Sequence, residues 1–383
     1  MKWELKSFDE IGFIGRGKSR HRPRNAEHLY GGIYPFVQTG DIKAAGFRIY
    51  DYNQTYNEAG LAQSKLWKEG TLCITIAANI ADTAILGIDA CFPDSVIGFV
   101  PYEDKSDVRF VKYFFDIFQA RMKSISTGAA QDNLSLEKLL TFKIPTPPLP
   151  IQHSIASILS AYDDLIENNL KRIKLLEEKA FLRYKEIVKC EQLEKKSILD
   201  ICYVTDGTHD SPKQQTEGFY LVTGKHLING FIDFSSAYFI SEADHDKIQK
   251  RSKVANGDLV LSNIGTIGNV AIIDSPFEFS VKNVIIFKPN NSEYSSFLYC
   301  YLNSDDMQTR FQQESCGTSQ RFISLTQARA LNVKLPSEIV LKEFHYEISM
   351  LLRLKSVLNL QNSKLREARD ILLPKLMNGQ IEV

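Results

Sequence analysis

Two stretches of the chain carry an unbroken helical rhythm, and the remaining sequence falls into two blocks, one before each of them. In the first stretch, residues 145–189, neither Gly nor Pro follows Pro150 until Gly207 is reached. Ile155, Leu159, Tyr162, Ile166, Asn169, Ile173, Leu176, Ala180, Arg183 and Ile187 recur at alternating steps of four and three, the seam of a coiled coil. Asn169 within that seam costs stability and sets register. Leu165, Leu175 and Leu182 lie off it, giving the helix a second apolar side suited to another protein. The second stretch, Glu338 to Met377, again lacks glycine and carries one proline, Pro374; Gly379 is its stop. Leu351, Leu358, Leu365 and Leu372 supply its seam.

Both helices are entered through matching phrases, Lys143-Ile144-Pro145 and Lys334-Leu335-Pro336, and the blocks ahead of them also align. Thr39-Gly40 falls on Thr223-Gly224, Gly70 on Gly257, Leu72 on Leu259, Ala84 on Ala271 and Pro101 on Pro289. The aromatic stretches VRFVKYFFDIFQARM and YSSFLYCYLNSDDMQTRF follow, then Gly128, Gln131, Ser135 and Leu136 against Gly317, Gln320, Ser324 and Leu325. The rhythm of each block is turn, strand, polar loop, strand, then helix. The fold class expected is α+β: two similar mixed α/β domains, 1–147 and 191–336, with long helices at 148–190 and 337–383. If the copies share an approximate two-fold axis, the helices pair antiparallel and hold two similar surfaces at a fixed separation.

Composition narrows the function. A hydrophobic content of 44% supports real cores, and 46 basic against 46 acidic side chains argue against wholesale polyanion binding while permitting a local basic face. Arg16, Lys18, Arg20, Arg22 and Arg24, with His21 among them, form the densest basic run; such cations repel one another unless a polyanion or acidic partner relieves them. The six cysteines show no CxxC pairing or regular spacing, which argues against zinc and disulfides and fits a reducing cytoplasm. The charged start and the lack of any long apolar run predict neither a signal peptide nor a membrane span.

Several strings invite catalytic readings. Residues 12–19, GFIGRGKS, satisfy the P-loop pattern letter for letter, but charged sequence precedes them and Arg-rich, Pro23-containing sequence follows. Pro93-Asp94 with Glu103-Asp104-Lys105 resembles nuclease elements that hold Mg²⁺, without a counterpart in the second block. Residues 206–213, DGTHDSPK, gather Asp and His, where a tight polar turn is the plainer reading. The strand-connecting loops carry amides, hydroxyls and lysines suited to base edges and phosphates: Asn79 in the first block, and Asn263, Thr266 and Asn269 in the second. Lys43, Gln131, Thr208, His209, Lys213, Lys225, Gln320 and Arg321 complete the candidate DNA contacts.

The phrases PPLPIQHSIASILSAYDDLIENN and IKLLEEKAFL in the first helix, REARDILLPKLMNGQI in the second, DGTHDSPK and the two-block plan resemble the specificity subunits of type I restriction–modification systems. The resemblance covers essentially the whole chain. It implies two target recognition domains, each reading half of a bipartite double-stranded DNA site, and helices that fix the spacing and recruit two methyltransferase subunits. It implies no catalytic residue, metal or cofactor in this chain. S-adenosylmethionine, ATP and Mg²⁺ then belong to the methyltransferase subunits and to a restriction/translocase subunit. Copy one departs from the pattern, because the Arg-rich segment stands where copy two has Asp-Gly-Thr-His. Two other classes stay open on the residues alone: a P-loop or nuclease-like enzyme, marked by ATP turnover or Mg²⁺-dependent cutting, and a coiled-coil scaffold that binds no DNA.

Overall fold

The computed structural model describes residues 3–76, 82–125, 135–315 and 321–383, and for 120–125 the backbone alone. The chain forms two units, Met1–Asn168 with Lys364–Val383, and Asn169–Ser363. Each unit therefore combines one globular block with a segment of both long helices.

In the first unit the incoming strand Glu4–Lys6 pairs antiparallel with Ile144–Thr146, the phrase that leads into the long helix. A turn of helix, Phe8–Ile11, follows and is closed by the Ser7/Glu10 capping box, so Phe8 and Ile11 are driven into the core. Five strands form the main sheet, in the order Gly12–Arg16, Val96–Pro101, Leu72–Thr75, Thr83–Leu86 and Arg48–Ile49. The central three are nearly continuous apolar runs because one face takes the aromatic helix Val108–Ile125 and the other a second core around Trp67 and Phe92. Phe8 stacks on Phe115 at 5.1 Å between ring centroids. A second sheet holds Gln54–Tyr56, Tyr30–Phe36, Ala90–Cys91 and Leu66–Trp67.

The second unit repeats this plan. Glu194–Ser197 pairs with Asn332–Leu335, and Ile198–Ile201 is closed by a Ser197/Asp200 box. The sheet runs Cys202–Asp206, Val284–Pro289, Leu259–Ser262 and Val270–Ile272. The aromatic helix Ser292–Leu302 packs on it through Phe297, Leu298 and Tyr299. The aligned phrases are thus equivalent strands and helices, and the sequence repeat is a repeat of fold.

The long helices span Leu149–Cys190 and Glu338–Met377. In the second unit Asn169 meets Asn362, and Lys179 and Arg183 reach Glu347 at 3.8 and 3.4 Å, so the two segments run antiparallel. In the first unit Asp163 meets Arg369, and Ile155, Ala156 and Leu159 share a core with Leu373, Leu376 and Met377. Along the first helix Ile155, Leu159, Ile166, Asn169, Ile173, Ala180 and Ile187 are buried, while Tyr162, Leu176 and Arg183 are half-buried. The second helix corrects the expected seam. Leu358 is buried, but Leu351, Leu365 and Leu372 are half-buried and their neighbours Leu352 and Leu373 take the inner positions. A strict seven-residue spacing drifts around a straight helix, and successive four-residue steps at Phe344, Ile348 and Leu352 restore phase.

Asn169 donates from Nδ2 to Asn362 Oδ1 at 3.0 Å, and both side chains are buried. Asn169→Ala should lower stability by about 1–3 kcal/mol, since Asn362 is left unsatisfied, whereas Leu at both positions should be neutral or stabilising. Thermal melts of the three proteins check the ordering; equal losses in the single and double variants would mean that the amide pair has no structural role.

Candidate nucleic-acid interface

The basic run begins where the strand Gly12–Arg16 ends. Gly17 donates its N–H to the Val96 carbonyl at 2.9 Å, and a Cβ there would lie 2.3 Å from the Phe92 oxygen, so only glycine lets the chain leave the sheet. The following loop is tied down: Lys18 N–H to Phe92 O at 3.1 Å, Ser64 Oγ to Lys18 O at 2.7 Å and His21 N–H to Gln63 Oε1 at 3.0 Å. The five cations then divide. Arg24 and Arg22 approach Asp94 at 2.6 and 3.6 Å, and Arg22 also donates to the Ser19 carbonyl at 2.6 Å. Arg16, Lys18 and Arg20 are exposed and form no ion pair among the described residues. Lys65 lies 3.5 Å from the centre of the Trp67 ring, and burial together with nearby Lys18 draws its amine below the usual lysine range. Lys43 is exposed on the short helix Thr39–Ala44.

The two strings that invited catalytic readings take definite places in this geometry. The glycine-rich residues 12–16 are an edge strand of a sheet, and the loop after them leads to the single 3-10 turn Glu27–Leu29 and not directly into an α-helix, as a P-loop does. Asp94 serves as the acceptor for Arg22 and Arg24.

The matching loop of the second unit is built around a carboxylate. Gly207 donates to Val284 O at 2.9 Å, and Thr208 to Val281 O at 3.0 Å. Asp206 accepts from His209 Nε2 and from Arg251 of the helix Glu242–Ser252, both at 2.8 Å. Burial pushes the Asp206 carboxyl up, but the bonds from His209 and Arg251 outweigh it and hold it below the usual range. Lys247 pairs with Asp210 at 2.8 Å, and Lys282 donates to Ser211 at 2.6 Å. His209, Lys213 and Lys225 are exposed, and so are Thr266 and Arg321.

Three other positions are used internally. Thr208 is buried, and its hydroxyl accepts the Asp210 N–H at 3.1 Å. Asn263 is buried and donates to Ile323 O at 3.0 Å; Asn269 donates to Leu227 O at 2.8 Å. These groups satisfy loop backbone that would otherwise be orphaned, so they shape the loop instead of facing outward. Asn79, Gln131 and Gln320 lie outside the described residues. Arg251 and Lys247 went unremarked in the sequence because their partners Asp206 and Asp210 are 45 and 37 residues away. The one local signal was the helix-capping Ser241 that places them on a single helix.

The matching strands and glycine-anchored loops define a tandem domain, and the comparisons agree. The chain belongs to the family described as type I restriction modification DNA specificity domain, which it matches over residues 1–178 and 191–341. It is similar to the type I restriction enzyme MjaIX specificity subunit of Methanocaldococcus jannaschii, 24% identical across 100% of this chain and 94% of that protein. The Escherichia coli EcoR124I/EcoR124II specificity subunit is 26% identical over 48% of each. In fold the chain resembles a crystal structure of the type I restriction-modification S subunit from M. genitalium, with a TM-score of 0.61 and 17% identity over 98% of this chain and 96% of that one.

A depressed carboxyl stabilises the fold above its unfolded pKa and loses that contribution as the pH falls through the folded value. Asp206→Asn should therefore loosen residues 206–213 at pH 7, by about 1 kcal/mol, and should have little effect well below pH ~3.9. Hydrogen exchange of the loop at both pH values tests this; equal effects at both would show that Asp206 acts through shape alone.

Proposed function

We propose that the chain is the non-catalytic DNA-reading subunit of a type I restriction–modification complex, each repeated domain reading one half of a bipartite double-stranded site. The observation that carries this reading is the duplication itself: one specificity-domain fold occurs twice, and each copy hangs a differently charged loop from an equivalent glycine. Arg16, Lys18 and Arg20 neutralise phosphates in the first half-site, and Lys213, Lys225 and Arg321 do so in the second, while the anchored loops present side chains to base edges. Exposed Leu165, Leu175 and Leu182, with Tyr346, Met350 and Leu354 on the second helix, offer apolar ground for two methyltransferase subunits. A restriction/translocase subunit joins that assembly in the cytoplasm. S-adenosylmethionine, ATP and Mg²⁺ act in those partners. Among the described residues no helix is long and apolar enough to cross a membrane, and no cluster of His, Cys, Asp and Glu could hold a metal.

Replacing Arg16, Lys18 and Arg20 together with alanine should weaken binding to every DNA sequence and reduce the slope of log K against log salt by about 2 to 3. Exchanging residues 196–335 for those of a relative should change one half of the methylated motif. Fluorescence anisotropy across salt concentrations and methylome sequencing supply the readouts. An unchanged salt slope would remove the loop from the interface, and a change in both half-sites would defeat the modular reading.

A further inference from the structure

Each unit buries one charge in the helix seam, and the two charges have opposite sign. In the first unit Asp163 of the first helix, its side chain 4% exposed, pairs with Arg369 of the second, 22% exposed. In the second unit Lys355 of the second helix, 3% exposed, pairs with Glu177 of the first, 25% exposed. The tyrosines that meet the two charges relate the pairs, Tyr113 at Asp163 and Tyr299 at Lys355, so Asp163 corresponds to Lys355 and their partners Arg369 and Glu177 to one another. Burial agrees within each corresponding pair, while charge is inverted. The third member is the same residue in both sites. Tyr113 donates to Asp163 at 2.5 Å, and Tyr299 accepts from Lys355 at 2.8 Å. These tyrosines are the sixth residues of the two aligned aromatic stretches. A hydroxyl both donates and accepts, so one tyrosine serves a buried anion in one copy and a buried cation in the other.

A duplicated chain faces an ambiguity, because helices with matching apolar seams can also pair with their own kind. If two first helices packed about a two-fold axis with the observed register, Asp163 would face Glu177 of the second copy. Two second helices would set Lys355 against Arg369. Either arrangement buries like charges, whereas first against second gives two complementary pairs.

We propose that Asp163, Glu177, Lys355 and Arg369 form a pairing code: the first helix accepts only a second-helix partner, and association of like helices from two chains is rejected. This inference concerns the helix seam and holds whatever the loops bind. It also defines the surface chemically. A foreign half-chain that replaces the second helix must bring cations at the positions of Lys355 and Arg369, and one that replaces the first must bring anions at those of Asp163 and Glu177.

The test uses the full chain and leaves composition unchanged. Exchanging the corresponding residues, Asp163→Lys with Lys355→Asp, makes both native pairs repulsive and each helix complementary to itself. Two differently tagged copies are co-expressed, and the second tag is measured in the two-chain fraction retained on the first. The exchange variant should show about a tenfold or greater rise over the wild type, equivalent to about 1.4 kcal/mol, with a fall in Tm of about 5 °C or more. Reversing all four charges, Asp163→Lys, Glu177→Lys, Lys355→Glu and Arg369→Glu, restores complementarity and should return both readings toward wild type. Wild-type co-purification by the exchange variant overturns the proposal. If that variant does not fold, the four-charge reversal decides: folding supports the code, and failure to fold overturns it.

Discussion

A charge taken out of water has to be paired, and that constraint governs how the long helices meet in each unit. Asp163 and Lys355 are almost wholly enclosed, so each needs a partner at one position of the opposing helix and a tyrosine at one position of the globular block. Removing one member of such a pair costs about 3–5 kcal/mol, more than an apolar contact gains by slipping a turn. Burial draws the Lys355 amine below its ordinary range even with Glu177 beside it. Register, helix pairing and the docking of each aromatic helix are therefore one coupled decision.

The globular blocks are arranged so that this decision reaches the sheet. In each, the incoming strand and the strand that leads into the long helix pair with one another, Glu4–Lys6 with Ile144–Thr146 and Glu194–Ser197 with Asn332–Leu335. The block is closed at its base, and its aromatic helix lies between sheet and seam. Gln152 bonds the Pro147 and Lys105 carbonyls at 2.9 and 3.1 Å, and Arg48 reaches Asp164 at 2.7 Å. A shift of the first helix would break these contacts together.

Much of this was legible in the sequence, for reasons that particular residues make clear. The helices stood out because Gly and Pro are absent over long spans and apolar residues keep step. The repeat stood out because residues that fix backbone geometry, such as Gly70 and Gly257, both with positive φ, cannot drift. Adjacent leucines defeated the finer reading: Leu351 and Leu352 are equally apolar, and only the cumulative phase of the helix chooses the inner one. Asp163 and Lys355 were invisible because charged residues read as surface until a partner far along the chain is known. The polar loop residues failed in the opposite sense. Asn263 and Thr208 look like donors for a ligand, yet buried loop backbone claims them first.

That last point bears on how one fold reads different sequences. Gly17 and Gly207 leave their sheets through the same bond, to Val96 and Val284, and each is crowded against backbone where a Cβ would not fit. Beyond them the loops share little but a carboxylate that holds polar side chains in place, Asp94 for Arg22 and Arg24 and Asp206 for His209 and Arg251. A glycine fixes the exit and a carboxylate fixes the polar side chains, while the exposed residues of each loop, such as Arg20 and Lys213, stand away from the core. Substitutions at those exposed positions should cost little stability. Changes at the glycine, the carboxylate or the buried asparagine instead carry a folding penalty. The fold thus separates what must be kept from what is free to vary, and the variable part is the part that faces solvent.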